Sequence, residues 1–326
     1  MGTIGQLCWF VALPMRTKPL SVDQVVAVVV TYEPDRAALE ALLAALAGQV
    51  EQTIVVDNGS TVDVAEWVVR AGLGGACAVV PLGENRGVAA AQNVGIRRAR
   101  SSGAAAVVLF DQDSLPAPEM VARLVAAVNE AAARGVAVAA AGPRYLDVRQ
   151  DNPPPFLRLR GVAVARLPCP DEGGVVEVDY LISSGCLIPL AALDLVGPMR
   201  EELFIDYVDI EWGLRARQMG LTCLGVCGAQ MRHDLGDAPL ALFGRRLPVH
   251  SPLRHYYHFR NAVFLYRAPW LPWNWKVADG WRLLAKYLVY SLFARPRLAH
   301  WRMMTQGIVD GLRRRMGRYA PPLARG

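Results

Sequence analysis

Short β-branched and apolar runs recur through the first half of this chain, separated by stretches with helical spacing. The runs cover residues 25–31, 53–56, 76–80, 105–110 and 136–141, and each has the length and residue types of a strand. Between the first two, Leu39, Leu42, Leu43 and Leu46 recur at i, i+3, i+4 and i+7, which predicts an amphipathic helix with Asp35 as its N-cap. Residues 86–100 and 116–134 are Ala-rich helix formers, the second opened by Pro116. Strands joined by helical crossovers pair in parallel, because a crossover returns the chain in the same direction. The first half therefore predicts a Rossmann-like α/β layer.

With 326 residues, 53% hydrophobic and 20% charged, the chain can bury a large core. That composition excludes a disordered tail, a collagen-like repeat and a disulfide-held miniprotein. Lys and Arg number 35 against 29 Asp and Glu, a net charge of +6 that suits nucleic acid, a membrane surface or an acidic substrate without choosing among them. Cys8, Cys77, Cys169, Cys186, Cys223 and Cys227 show no CxxC pair and no metal-ligand spacing, so reduced thiols are expected. Residues 1–22 predict a flexible leader, with Met15 as another start. Its apolar stretch is too short to span a bilayer, which takes about 20 residues, and it lacks the basic start of a signal peptide.

The pattern changes after Gly142. Residues 152–155 read as a Pro-rich exposed loop, 157–167 and 175–182 as strands, 207–219 as a helix and 221–226 as a strand. A catalytic region over 23–250, divided at 141/142, is thus followed by a different one over 251–326. There, helical segments at 252–266, 275–293 and 298–316 mix Trp270, Trp273, Trp275, Trp281 and Trp301 with many arginines. Aromatic and basic residues on amphipathic helices suit a membrane headgroup layer; the competing expectation is a helical cap packed on the core.

In an open parallel sheet, ligands bind at the carboxyl ends of the strands. Three such ends carry polar groups: Thr31-Tyr32-Glu33, Asp57-Asn58-Gly59-Ser60 and Asp111-Gln112-Asp113. Two carboxylates one residue apart repel unless a cation neutralises them, and hard oxygen donors favour Mg2+ or Mn2+ bridged to a diphosphate. A carboxylate such as Asp57 can accept the imide N–H of a pyrimidine base. Residues 84–95 add a glycine turn leading into a small-residue helix, where a nucleotide or another backbone can come close.

Taken in order, VVVTYEP, IVVDNGS, LGENRGVAAAQNVGI, VLFDQDS, SSGCLIP and LFIDYVDIEWGLRAR resemble the family 2 glycosyltransferases of GT-A fold, most nearly the bacterial rhamnosyltransferases. The resemblance covers about residues 25–267. It implies an α/β GT-A sheet with flanking helices and a helical C-terminal extension. It also implies inverting, metal-dependent transfer of a sugar, most simply L-rhamnose from dTDP-L-rhamnose, to a glycan or lipid-linked acceptor in cell-surface polysaccharide synthesis. Carried over by position, Thr31, Tyr32, Glu33, Asp57 and Asn58 hold base and ribose, with Asn85, Gly87 and Asn93 completing that wall. Asp111 faces the donor's ribose or sugar, and Asp113 ligates the metal, with His233 a further candidate. Ser184 and Gly185 shape the donor-sugar pocket, and Arg215 or Arg217 assists the leaving diphosphate. Asp209 matches the family's general base. The family usually has Glu just before that aspartate; here it is Val208, with Asp206 and Glu211 close by.

Other readings compete with this one. A catalytically inactive nucleotide-sugar-binding assembly partner could lose Asp113 or Asp209, yet both are present. A sugar nucleotidyltransferase should carry a glycine-rich phosphate loop after the first strand, and Thr31-Tyr32-Glu33-Pro34 is not one. No nucleic-acid recognition motif appears. The expected place is the cytoplasm, peripherally on the inner face of the cell membrane through residues 270–316.

Overall fold

The computed structural model describes residues 18–146, 156–170, 173–233, 240–242, 245–247 and 249–321. Most of the expected leader, the 152–155 loop and Asp234 lie outside the described residues. Four parallel strands, β1 (Val25–Thr31), β2 (Gln52–Asp57), β3 (Cys77–Pro81) and β4 (Ala106–Asp111), alternate with helices α1 (Arg36–Leu46), α2 (Val64–Arg70) and α3 (Val88–Ser101). The short β5 (Ser114–Pro116), α4 (Met120–Ala133) and β6 (Val138–Leu146) follow. Pro116 ends β5 instead of opening the helix, because β5 hydrogen-bonds antiparallel to a later strand and the turn at 117–119 comes before α4.

The predicted strand at 157–167 is a hairpin, β7 (Phe156–Arg160) and β8 (Ala163–Leu167), turning at Gly161. The remaining elements are β9 (Val175–Val178), β10 (Leu187–Pro189), α5 (Leu190–Val196), α6 (Val208–Gln218), β11 (Thr222–His233), β12 (Leu240–Leu242), β13 (Arg245–Leu247), α7 (Pro252–Tyr266), α8 (Trp273–Phe293) and α9 (Arg297–Leu312). The main sheet runs β3-β2-β1-β4-β10-β6-β11-β5, with β9 on β11. It is mixed, since β10 lies antiparallel to both β4 and β6.

Local chemistry explains the elements that position the site. The Asp35 carboxylate accepts the Ala38 N–H at 2.8 Å and caps α1, whose Leu39, Leu42, Leu43 and Leu46 are all buried. Fully burying a leucine contributes about 1.5–3 kcal/mol, so this stripe fixes α1 on the sheet. β1 is buried along its whole length, as a central parallel strand covered on both faces must be. A second apolar cluster, with Phe259, Leu265, Trp275, Leu283 and Met304, joins α7, α8 and α9 to Tyr207 and Leu214 of the catalytic half.

The expectation of reduced thiols fails at one place. Cys169 and Cys227 form a disulfide with their Cα atoms 5.7 Å apart. They stand 58 positions apart in sequence, so the pairing arises from the long-range approach of the segment before β9 to β11, which no local spacing reveals. Cys77, Cys186 and Cys223 are thiols, and Cys8 lies outside the described residues.

Candidate active site

The sheet register gathers the predicted strand ends. Thr31 lies opposite Asp57, and Val30 opposite Asp111, so three consecutive strands release their polar residues at one edge. Asp57 is buried there and accepts from Thr31 Oγ1 at 3.1 Å, Ser60 Oγ at 2.5 Å and Ser60 N–H at 3.2 Å. Asn58 is buried beside it, donating to Asn85 Oδ1 at 3.2 Å and accepting the Arg86 N–H at 2.8 Å. Asn85 in turn accepts the Gly87 N–H at 3.0 Å. Glu33, at positive φ, receives both the N–H and the hydroxyl of Thr61, while the exposed Tyr32 is fixed through its N–H to Gln112.

Gly87 starts α3 at φ +87°, and a Cβ there would stand 2.6 Å from the Phe204 carbonyl oxygen, which accepts the Val88 N–H. Only glycine allows that approach. Asn93 lies one helical face further in. Its buried amide donates to Met199 O and Glu201 Oε1, both at 2.9 Å, and accepts the Met199 N–H. It thus pins segment 199–201 to α3.

At the end of β4, Asp111 is half-buried and Asp113 exposed. The Asp111 N–H donates to Ser184 Oγ, which also lies 2.5 Å from Ser114 Oγ. Gly185 donates to Leu109 O at 2.7 Å from φ +76°, with Pro143 and Met231 where a Cβ would go, so the 183–186 loop lies tight against β4. The backbone of His233 pairs with Ser114, immediately after Asp113. Among the described residues no group of three or more His, Cys, Asp or Glu is arranged to hold a metal. The protein therefore offers a carboxylate pair, a donor set that fits a Mg2+ or Mn2+ completed by substrate phosphates and water.

Asp209 stands in the first turn of α6 over a small apolar crevice of about 20 Å3 lined by Leu109, Ile188 and Trp212. Burial pushes its carboxyl up to about 6, the Ile210 N–H at 2.8 Å opposes the rise, and Asp206 and Asp111 add to it. Glu211 is buried, and both its oxygens are taken by Arg215, at 3.1 and 2.9 Å. The same guanidinium reaches the carbonyls of Val196 and Pro198, so Arg215 ties α6 to the end of α5. Arg217 pairs with Asp179. Asp206 meets Arg254 at 3.4 Å on one oxygen, and its other oxygen is buried without a hydrogen bond.

Residues 26–167 match glycosyl transferase family 2. Over 251 residues the chain is 33% identical to the dTDP-rhamnosyl transferase RfbF of Shigella flexneri, spanning 77% of this chain and 82% of that protein. The chain belongs to glycosyltransferase family 2. Among solved structures, GalNAc-T7 with UDP, GalNAc and Mn2+ superposes on this family 2 glycosyltransferase with a TM-score of 0.57 at 12% identity. The match covers 89% of this chain and spans 56% of that one. The mannosyltransferase PcManGT of Pyrobaculum calidifontis, in complex with GDP-Man and Mn2+, gives 0.55 at 17% identity, covering 93% and 90%. At such identities the likeness shows the fold, which is GT-A.

The sequence motifs miss what holds the base loop of this glycosyltransferase. Phe204, Asp206 and Tyr207 all adopt positive φ without being glycine, a conformation that persists only where surroundings enforce it. The surroundings are Arg260 and Asn261 of α7, both fully buried. Asn261 donates to the carbonyls of Leu203, Ile205 and Asp206 at 2.8–2.9 Å. Arg260 donates to Glu202, Leu203 and Gly317 carbonyls. The only sequence signal is an arginine and an asparagine side by side in an otherwise aromatic helix.

Proposed function

We propose that this glycosyltransferase moves L-rhamnose from dTDP-L-rhamnose, with inversion, to a sugar hydroxyl of a lipid-linked glycan acceptor. The observation that carries this reading is the cluster of Thr31, Asp57, Asn58, Asp111 and Ser184 at one sheet edge, within electrostatic range of Asp209 through Asp111. The likeness to a dTDP-rhamnosyl transferase supports the donor. In this reading Asp57 accepts the imide N–H of the thymine, and Asn58, Asn85 and Glu33 line the base and ribose, with Gly87 leaving room. Asn93 contributes by fixing the 199–201 segment behind them.

Asp113, with Asp111 beside it and His233 next in the sheet, holds a divalent cation that supplies charge neutralisation to the diphosphate. Two solved relatives of the fold carry Mn2+ with a sugar nucleotide or its parts, which supports that assignment. Asp209 accepts the proton of the acceptor hydroxyl as its oxygen bonds to the anomeric carbon. The bond from that carbon to the diphosphate breaks on the opposite face, and the nucleotide leaves with the electron pair. Glu211 is unsuited to the base role because Arg215 holds both its oxygens. Ser184 and Gly185 shape the sugar pocket from the loop against β4. Arg215 acts through the α5–α6 corner rather than on the diphosphate.

The test is a melting-temperature panel of dTDP-, UDP- and GDP-sugars with and without Mn2+. The expected result is metal-dependent stabilisation by dTDP-rhamnose that Asp113→Asn abolishes with the fold intact. Stabilisation by another nucleotide alone would overturn the donor, and unchanged metal dependence in the variant would overturn the role of Asp113.

The same reading places the enzyme on the cytoplasmic face of the membrane. No helix among the described residues is long and apolar enough to cross a membrane. On α8, however, Trp273, Val277, Trp281, Leu284, Leu288 and Leu292 are all exposed. At 3.6 residues per turn they fall within about 100° of arc, an apolar stripe suited to lying in a headgroup layer. Trp275 is core instead, packed against Tyr207 and Tyr266. The exposed Arg282, Arg295, Arg297 and Arg302 add attraction of about 1 kcal/mol each near an anionic surface. Co-sedimentation with anionic vesicles at low salt, reversed by high salt, is the expected outcome; no binding would leave α8 and α9 as a cap alone.

A further inference from the structure

Beside the base loop lies a second, larger cavity of about 300 Å3, with walls from α7 and α8. That volume is at the lower end of the range for small-ligand pockets, about 300–1,000 Å3. Its polar lining is His250, Arg254, His255, His258 and Lys286, with Asp206 as its single carboxylate. Lys286 Nζ lies 2.9 Å from His258 Nε2, and His300 Nδ1 lies 2.9 Å from His255 Nδ1. An ammonium can only donate, so His258 accepts with a neutral ring. His255, itself 3% exposed, keeps a second ring nitrogen buried with no hydrogen bond.

A chain gains nothing in stability by crowding so many basic groups around an open space. Burial first, and then their mutual repulsion, lowers His255 to about 3 and pulls His258 well below the ordinary imidazole range. Lys286 is lowered too, chiefly by burial. An anion of charge two or more placed among them would relieve both effects at once. The lining suits a diphosphate: a guanidinium, an ammonium and imidazoles converge where a single carboxylate opposes them.

Two further observations say whose diphosphate this is. Asp206 belongs to the cavity wall and Asp111 to the donor strand ends, and Asp209 responds to the charge of both. The base thus has the donor end on one side and this cavity on the other, and an acceptor must approach from the side away from the donor's leaving group. In addition, α8 presents Lys286, Val289 and Tyr290 to the cavity while its opposite face carries the exposed apolar stripe. One helix therefore offers cations on one side and a lipid-compatible surface on the other.

We propose that the α7–α8 cavity binds the diphosphate of a lipid diphosphate-linked sugar acceptor, with Arg254, His258 and Lys286 as its principal contacts. This rests on the transferase reading above and narrows its acceptor to one chemical class. The sugar attached to that diphosphate would then lie over Asp206, with its hydroxyl at Asp209.

The experiment is a calorimetric titration of the full chain in EDTA, so that no metal can recruit an anion to Asp111 and Asp113. Geranyl diphosphate and inorganic pyrophosphate serve as separate probes. The expected result is one-site binding of geranyl diphosphate that weakens at least tenfold in Lys286→Gln and in Arg254→Gln, with melting temperatures recorded for both. The Arg254 side chain is 43% exposed, so its variant keeps the test valid if Lys286→Gln fails to fold. Affinity for dTDP with Mn2+, measured separately, should stay the same in both variants; its failure in the unaltered protein would strike the donor assignment and not this one. Unchanged geranyl diphosphate affinity in the folded variants overturns the proposal. So does binding of pyrophosphate alone, which would make the cavity a site for free phosphates, and so does absence of binding to the unaltered chain.

Discussion

At the donor end, Asp57 is held by Thr31 across one strand and by Ser60 three residues on, and Asn58 by Asn85 and Arg86 at the next strand end. Asp209 is placed by other means. Its loop runs through three positive-φ residues, and their carbonyls are tied by Arg260 and Asn261 from a helix more than fifty residues later. The first arrangement is a property of parallel strands whose ends meet. The second is a shape imposed on an unfavourable backbone by the C-terminal region, so that the helices after residue 250 are part of the catalytic apparatus and not an appendage. Gly87 is where the two regions touch, through the Val88 N–H to the Phe204 carbonyl at 2.7 Å.

The sharpest way to separate the regions is to remove the base. Asp209→Asn should lower turnover about a thousandfold, since general base catalysis typically contributes 10²–10⁴, while nucleotide affinity measured by titration stays put. Should this variant turn over normally and Asp206→Asn or Glu211→Gln be dead, the base is misassigned though the donor end stands.

Asn261→Ala probes the support instead of the chemistry. It leaves the Ile205 and Asp206 carbonyls without their side-chain donor, at a cost of about 1–3 kcal/mol for buried groups. Expressed as loop population, about 2 kcal/mol is roughly thirtyfold in kcat, since about 1.4 kcal/mol is a factor of ten. The KM for the donor should stay constant. Equal losses in kcat and donor affinity would show that Asn261 stabilises the whole fold and not this loop.

The same contrast explains how much of the molecule is legible in its amino-acid sequence. The donor end is readable because its residues sit at strand ends within short motifs, and hydrophobic runs locate strand ends. Asp209 stands out only through family resemblance, since one carboxylate among Asp206, Asp209 and Glu211 has no local mark. What excludes Glu211 is Arg215, four residues on, and what desolvates Asp209 is a crevice assembled from β4, β10 and α6. Arg215 itself reads as a diphosphate partner because an arginine on the helix after the base has the right charge; the α5 carbonyls that engage it are not visible from α6. The Cys169–Cys227 bridge and the roles of Arg260 and Asn261 are hidden for the same reason. Each is a contact between segments about 55–60 residues apart, and periodicity reports only on neighbours along the chain.

The smallest effect follows from the carboxyl of Asp209 itself. Burial raises it to about 6, with Asp206 and Asp111 adding repulsion. A base works only in its ionised form, so kcat/KM should rise with pH up to about 6 and level off above it, falling roughly tenfold for each unit below. The sign for stability is the reverse. The folded state holds this proton more tightly than the unfolded chain does, so the contribution is present in full below the ordinary carboxylate range and is lost as pH rises through about 6. Donor binding, built on Asp57 and its hydroxyl partners, should not share that inflection. A pH–rate profile beside nucleotide affinities over pH 4.5–8 therefore distinguishes the regions within one protein. An inflection near 4 in kcat/KM would mean that the carboxyl doing the chemistry is not the desolvated one, and an inflection near 6 in nucleotide affinity would mean that Asp209 belongs to the donor end after all.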